Sequence, residues 1–148
     1  MNVAEAIRTR KSVRVYLDQP VEKQKLQRVL EAARLAPSAG NRQEWRIIVV
    51  TERDRRRELA DRATRHTFIG DAPIILACCA QEVDYVMPCG LQSFPIDLAI
   101  AIDHMTLAAV EEGLGRAFSA VAYLEGLGRA DEGDESGRFD QSYSSRRS

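Results

Sequence analysis

The sequence predicts a single domain that contains both α-helices and β-strands. Its 148 residues are the usual length of one domain, and 45% hydrophobic and 29% charged residues are typical of a globular chain. Two short apolar runs, WRIIVVT at 45–51 and APIILACCA at 72–80, have the length and composition of buried strands. Segments with helical periodicity flank both runs, so helices and strands alternate along the chain.

Four segments are predicted to be helices because their apolar residues recur at helical spacing. They span residues 2–10, 21–36, 51–65 and 94–115. Pro37 disfavours helical geometry at Ala36 and so ends the second helix abruptly. Thr51 and Asp54 resemble a capping box at the start of the third helix.

The fourth helix is apolar on nearly every side. Its large hydrophobic residues do not fit on one stripe: Ile96, Leu98, Ile100, Ile102, Met105, Leu107 and Val110. A helix of this kind has to be enclosed by a core or by a partner subunit. In a domain of this size a subunit interface is the more economical explanation, so the sequence indicates an oligomer.

The character of the chain changes after this helix. Residues 116–124 have the pattern of a third strand, whereas the following segment is rich in Gly, Ser and Asp and poor in apolar residues. The sequence therefore predicts a folded domain over residues 1–125 and a flexible tail over residues 126–148.

Composition and cysteine usage argue against several classes of protein. A net charge of −1 and a pI near 6.1 disfavour general nucleic-acid binding, because no excess of cations is available to displace counterions. No apolar run reaches the length of a membrane span, and the N-terminus lacks a hydrophobic signal core. Cys78, Cys79 and Cys89 form neither a disulfide framework nor a metal-ligand pattern. We expect a reduced, cytoplasmic protein without a bound metal.

The stretch RTRKSVR, residues 8–14, is a candidate anion site. It supplies two guanidinium groups, an ammonium and a hydroxyl, from Arg10, Arg14, Lys11 and Ser12. These donors match the oxygens of a phosphate monoester. A basic helix end is also common in its own right, because cations are favourable at a helix C-terminus.

The stretch PSAGNRQEW, residues 37–45, is a candidate site for a flat ligand. Small residues allow a ring to approach the backbone closely, and the amides of Asn41 and Gln43 suit a heterocycle edge that carries donors and acceptors. The alternative is a well-capped loop before a strand, with Trp45 in the core. No nucleotide-binding or metalloprotease motif is present, and the two histidines are far apart in sequence.

In order and spacing these segments resemble the nitroreductase family of FMN-dependent oxidoreductases. The matching pieces are IRTRKSVRVY, AARLAPSAGNRQEWRIIVV, DAPIILACC and DLAIAIDHMTLAAVEEGLG, and together they cover about residues 1–115. The resemblance implies an α+β fold in which helices flank an antiparallel-dominated sheet. It also implies an intertwined homodimer with FMN at the subunit interface.

The resemblance assigns roles to both stretches. The FMN phosphate and the polar edge of the flavin would be held by Arg10, Lys11, Ser12 and Arg14. The flavin would be lined from the other subunit by Pro37, Ser38, Ala39, Asn41 and Gln43. The implied reaction passes hydride from NADH or NADPH through the flavin to nitro, quinone or related small-molecule acceptors, and requires no side-chain nucleophile or base.

Beyond about residue 116 the sequence departs from the family pattern. The family's later segment with Trp and Gly and its C-terminal Arg or Lys have no counterpart, so we expect an atypical, shortened C-terminus. Two alternatives stay open: an FMN-binding dimer with vestigial or no turnover, and a non-flavin module that uses its basic patch for nucleic acid. A specialised flavin enzyme, such as a dehalogenase, is a variant of the leading interpretation.

Overall fold

The computed structural model describes residues 1–63, 66–81, 85–115 and 142–143. The helices are α1 Val3–Thr9, α2 Lys23–Arg34, α3 Arg53–Ala63 and α4 Phe94–Glu111. The strands are β1 Trp45–Val50, β2 Ile75–Ala80 and β3 Ser142–Tyr143, and short 3₁₀ turns lie at Ala39–Asn41 and Thr67–Asp71. Helices beside an antiparallel sheet confirm the predicted α+β class.

The sheet places its strands in the order β2-β1-β3, and both pairings are antiparallel. β1 and β2 are in register along their whole lengths, from Trp45 opposite Ala80 to Val50 opposite Ile75. At the start of β1, Trp45 is buried and the next side chain, Arg46, is exposed. This alternation follows from the two-residue repeat of a strand and directs one side of β1 into the core.

The core forms where α2 and α4 pack against each other and against the sheet. Ala33 of α2 and Ala101 of α4 are 1% and 0% exposed, and small side chains of this kind allow helices to approach closely. The buried cluster consists of Val29, Leu30, Ala33, Ala36, Trp45, Ile47, Cys78, Leu98, Ala101, Ile102, Met105 and Ala109.

The described chain encloses α4 on one side only. Leu98 and Met105 are buried against the core, whereas Ile96 is 37% exposed and Ile100 and Leu107 are half-buried. Within the described residues, the second apolar side of α4 is therefore incompletely covered.

The start of α3 differs from the prediction. The helix begins at Arg53, and Arg56 N donates to Glu52 O at 2.9 Å. Glu52 therefore occupies the position before the helix, and the capping box predicted at Thr51 is wrong.

The predicted second strand is shortened, since β2 begins at Ile75 and residues 72–74 lie outside the ladder. The third strand predicted at 116–124 lies outside the described residues. β3 falls within the segment predicted as a tail and pairs with Ile47 and Ile48. The boundary at residue 125 stays a prediction.

Candidate functional site

The basic segment, residues 10–14, begins where α1 ends. Asn2 caps the start of α1 by accepting a hydrogen bond from Glu5 N at 2.9 Å, and Arg10 N donates to Ala6 O at 3.0 Å at the other end. The last carbonyls of a helix carry partial negative charge, which favours cations at this position. The local sequence therefore stabilises a basic helix end.

Two contacts hold the basic segment in place. Val13 lies beside Gly115, where an added Cβ would be 3.5 Å from its methyl groups. The Tyr16 ring stacks on Phe68 with centroids 6.5 Å apart, and burial raises the pKa of the Tyr16 phenol. These contacts are made by Val13 and by Tyr16, which lies just after the segment, and they leave the cations of the segment exposed to solvent.

The polar residues of the basic segment are all exposed: Arg10, Lys11, Ser12 and Arg14. Within the described residues, no carboxylate forms an ion pair with any of its three cations. The segment is therefore a patch of positive charge that is open to an anion.

The second candidate stretch forms a compact loop, residues 37–43, between α2 and β1. Ser38 organises it with two acceptors: its carbonyl accepts from Asn41 N at 2.9 Å, and its hydroxyl accepts from Gln43 N at 3.0 Å. A serine can organise a turn of this kind because its side-chain oxygen takes the place of a backbone carbonyl as the hydrogen-bond acceptor.

The loop has a left-handed backbone at three positions. The φ values are 60° at Gly40, 55° at Asn41 and 53° at Gln43. Glycine and asparagine tolerate this region, whereas a residue such as Gln43 rarely occupies it. Non-glycine residues held there cost about 1–3 kcal/mol each and are concentrated at functional sites. The strain marks this loop as a candidate binding element.

The amide side chains of the loop are also ordered by each other. Gln43 Nε2 donates to Asn41 Oδ1 at 3.0 Å. Arg42 crosses the loop, donates to Ala39 O at 2.9 Å and stacks on the Tyr85 ring at 3.8 Å from its centroid. The loop therefore presents an ordered edge of hydrogen-bond donors and acceptors.

Asp97 ties this loop to α4, and the sequence reasoning missed this contact. The side chain is 3% exposed, and its two carboxylate oxygens accept from Ala39 N at 3.1 and 3.2 Å. A carboxylate on the inward side of an otherwise apolar helix is the signal that could have identified the contact.

Glu44 is a second carboxylate that sequence reasoning missed. Its side chain is only 6% exposed, and within the described residues neither carboxylate oxygen has a hydrogen-bond partner. The nearest cation is Arg42, whose Nε lies 3.9 Å from Oε1. Burial, followed by the negative charge of Asp97, raises the pKa of Glu44, and Arg42 opposes the shift.

The two candidate stretches lie toward opposite ends of α4. The basic segment contacts Gly115 beyond the C-terminal end, and the loop is bound to Asp97 near the N-terminal end. About 21 Å of helix separates Asp97 from Glu111. No hydrogen bond or ion pair among the described residues joins the basic segment to the loop.

Other kinds of site find no support in the described part of the chain. It contains no group of His, Cys, Asp and Glu side chains arranged to hold a metal ion. No described helix has the length and apolarity needed to cross a membrane. The candidate residues are cations, hydroxyls and amides, and these donors match an organic anion.

Comparison with known proteins identifies the family. The nitroreductase family model matches residues 7–84, just over half of the chain, and the chain belongs to this family. A crystal structure of a nitroreductase family protein from Clostridium novyi NT superposes with a TM-score of 0.76 at 26% identity, covering 82% of this chain and 71% of that one. These findings confirm the resemblance seen in the sequence.

Two curated relatives match most of the chain. A protein of Methanothermobacter thermautotrophicus is 33% identical over 126 residues, which are 84% of this chain and 64% of the relative. The FMN reductase [NAD(P)H] of Bacillus subtilis is 29% identical over 127 residues, which are 85% of this chain and 51% of that protein. This chain therefore spans between half and two thirds of the length of these relatives.

Proposed function

We propose that this chain is an FMN-dependent oxidoreductase that passes hydride from NADH or NADPH to nitro, quinone or related acceptors. Its membership of the nitroreductase family is the observation that carries the proposal. A relative named for FMN and NAD(P)H supports the choice of cofactor and reductant.

The described residues fit the two chemical ends of FMN. The cations and hydroxyl of the basic segment match a phosphate monoester, and no carboxylate of the described chain competes for them. The loop offers paired amides at Asn41 and Gln43, and its small residues Ser38, Ala39 and Gly40 leave room for a flat ring. We therefore assign the phosphate to Arg10, Lys11, Ser12 and Arg14, and the ring to Pro37, Ser38, Ala39, Asn41 and Gln43.

Bound FMN supplies the hydride chemistry, and the protein binds and orients it. In this assignment the basic segment neutralises the phosphate, while the loop holds its amides where a heterocycle edge can exchange hydrogen bonds with them. No side chain of the described site has to act as a nucleophile or a base.

The active form in this proposal is a homodimer with shared sites. A second copy that lies antiparallel along α4 brings the basic segment of one chain to the loop of the other, because the two stretches lie toward opposite ends of that helix. The chain also leaves large apolar side chains uncovered near its N-terminus, with Val15 at 85%, Leu17 at 75% and Val3 at 70% exposed. In the proposed dimer a partner subunit would bury such residues in the interface.

The test is the visible spectrum of the purified protein after incubation with FMN and gel filtration. Retained yellow flavin that bleaches with NADH or NADPH without oxygen, and recovers its colour with a nitro or quinone acceptor, is the expected result. Retained flavin that neither nucleotide bleaches would favour a binding protein without turnover. Loss of all flavin would contradict the proposal, and steep salt-dependent binding of DNA or RNA would favour the nucleic-acid alternative.

A further inference from the structure

We propose that Asp97 is a positioning residue that fixes the flavin-facing loop in its binding conformation. The inference rests on the proposed function, because it assigns Asp97 a role in holding residues 37–43 for FMN. Asp97 belongs to α4 and is not itself one of the residues assigned to contact the flavin.

The contact that carries the inference is a long-range bond to the backbone. Asp97 and Ala39 are 58 residues apart in sequence, and both oxygens of the buried carboxylate lie within 3.2 Å of the Ala39 nitrogen. A carboxylate is an acceptor only, and hydrogen bonds to a charged acceptor are stronger than neutral ones. The bond therefore fixes the orientation of the peptide between Ser38 and Ala39.

That peptide starts the chain of bonds that shapes the rest of the loop. Ser38 next accepts from Asn41 N and Gln43 N, the two residues held at positive φ. An isolated turn with two strained non-glycine residues would relax to other conformations. Anchoring its first peptide to a buried helix keeps the amides of Asn41 and Gln43 in one arrangement.

The surroundings indicate that Asp97 is not simply filling space. The inward side of α4 is otherwise apolar, with Leu98, Ala101 and Ile102 all buried. Burying a carboxylate there carries a desolvation cost, and the nearby Glu44 carboxylate adds like-charge repulsion. A hydrophobic side chain would pack without these costs, so the bond to Ala39 is the feature that the carboxylate provides.

The experiment compares Asp97→Asn with Asp61→Asn in the full chain. Asparagine keeps the size of the side chain but removes the charge and one of the acceptor oxygens that face Ala39 N. Asp61 is an exposed carboxylate on α3, so the control makes the same chemical change away from the loop and from the uncovered side of α4. The readouts are the FMN dissociation constant, the visible circular dichroism of the bound flavin, and hydrogen exchange of the peptide that covers residues 37–44.

We expect Asp97→Asn to weaken FMN binding by about tenfold, because a weaker neutral hydrogen bond replaces the charge-assisted one at Ala39 N. The flavin dichroism should change and exchange in residues 37–44 should accelerate, at a temperature where the variant is folded. Asp61→Asn should match the wild type in all three. An Asp97→Asn protein with wild-type FMN affinity and wild-type exchange would overturn the inference.

Failure of the proposed function gives a different pattern. A wild-type chain that retains no FMN would contradict both the function and the flavin role of Asp97, while the exchange data would still show whether the bond anchors the loop. If Asp97→Asn does not fold, the wild-type protein is tested alone by amide exchange in NMR spectra. We then expect a protected Ala39 amide, and exchange at the rate of an unstructured peptide would overturn the inference.

Discussion

The carboxylate of Glu44 is buried, and no described residue donates a hydrogen bond to it. Burial and the charge of Asp97 raise the pKa of Glu44 in the folded protein above the ordinary 4.5. Between these two pKa values the folded protein therefore binds more protons than the unfolded chain. The stability linked to Glu44 is therefore complete below pH 4.5 and is lost as pH rises through the raised pKa.

Glu44→Gln should remove this pH dependence. We expect the variant to gain stability relative to wild type as pH rises from about 4 toward 7, because an amide does not titrate in this range. Urea unfolding of both proteins at several pH values, at one protein concentration, measures the difference. Curves that run parallel over the whole range would show that Glu44 is ionised normally in the folded chain.

Two of the three cysteines, Cys78 and Cys89, should differ sharply in reactivity. Burial raises the pKa of the Cys78 thiol to about 12, and Cys89 is exposed. Because the thiolate is the reacting form, iodoacetamide at pH 8 should label Cys89 quickly and leave Cys78 unmodified in the folded protein. Peptide mapping by mass spectrometry reads the sites, and labelling in urea provides the control in which both react. Early modification of Cys78 in the native protein would contradict its place in the core.

The surroundings of a single residue were predictable from the sequence only where they depend on near neighbours in the chain. The small and amide residues of the loop identified a candidate site because turn chemistry depends on near neighbours. Asp97 and Glu44 were missed because their surroundings depend on contacts between α4 and the loop, far apart in sequence. Sequence patterning classifies a charged residue as exposed unless such a contact is known.

At the scale of secondary-structure elements, the first side chains of β1 alternate between the core and the surface. Ile47 is 2% exposed and belongs to the buried cluster, while the neighbouring Arg46 points outward. Ile47→Ala should destabilise the protein by about 2–5 kcal/mol through lost burial and a cavity. Arg46→Ala, on the same strand, should change stability by about 0.5 kcal/mol or less. Denaturant midpoints measure both, and equal effects would show that β1 is not inserted in the core as described.

The positions of helices and strands were predicted well where the periodicity of apolar residues within the element determines them. The second predicted helix and both early strands lie where apolar spacing placed them, within a few residues. Their ends shifted because the ends depend on caps and partners: α3 starts after Glu52, and β2 starts where it can pair with Val50. The incomplete cover of α4 was also foreseeable, because apolar residues on every side cannot all face one core.

For the whole molecule, the length of α4 connects assembly with function. In one chain that helix separates the basic segment from the loop at residues 37–43, so in the proposed homodimer a second copy would complete a site made of both. Binding of FMN and dimer formation should then stabilise each other, because each adds contacts that only the assembled state makes.

A substitution that blocks assembly should therefore also remove the flavin. Leu17 is 75% exposed and follows the basic segment without belonging to the assigned cofactor contacts. We expect Leu17→Asp to shift the protein from dimer to monomer and to reduce FMN retention by about tenfold or more, because an acidic side chain is costly in an apolar interface. Gln24→Asp adds the same group at an exposed position on α2 and should leave both properties unchanged. Light scattering coupled to gel filtration reports mass and flavin absorbance in one run. A Leu17→Asp monomer that keeps its flavin would show that one chain completes the site by itself.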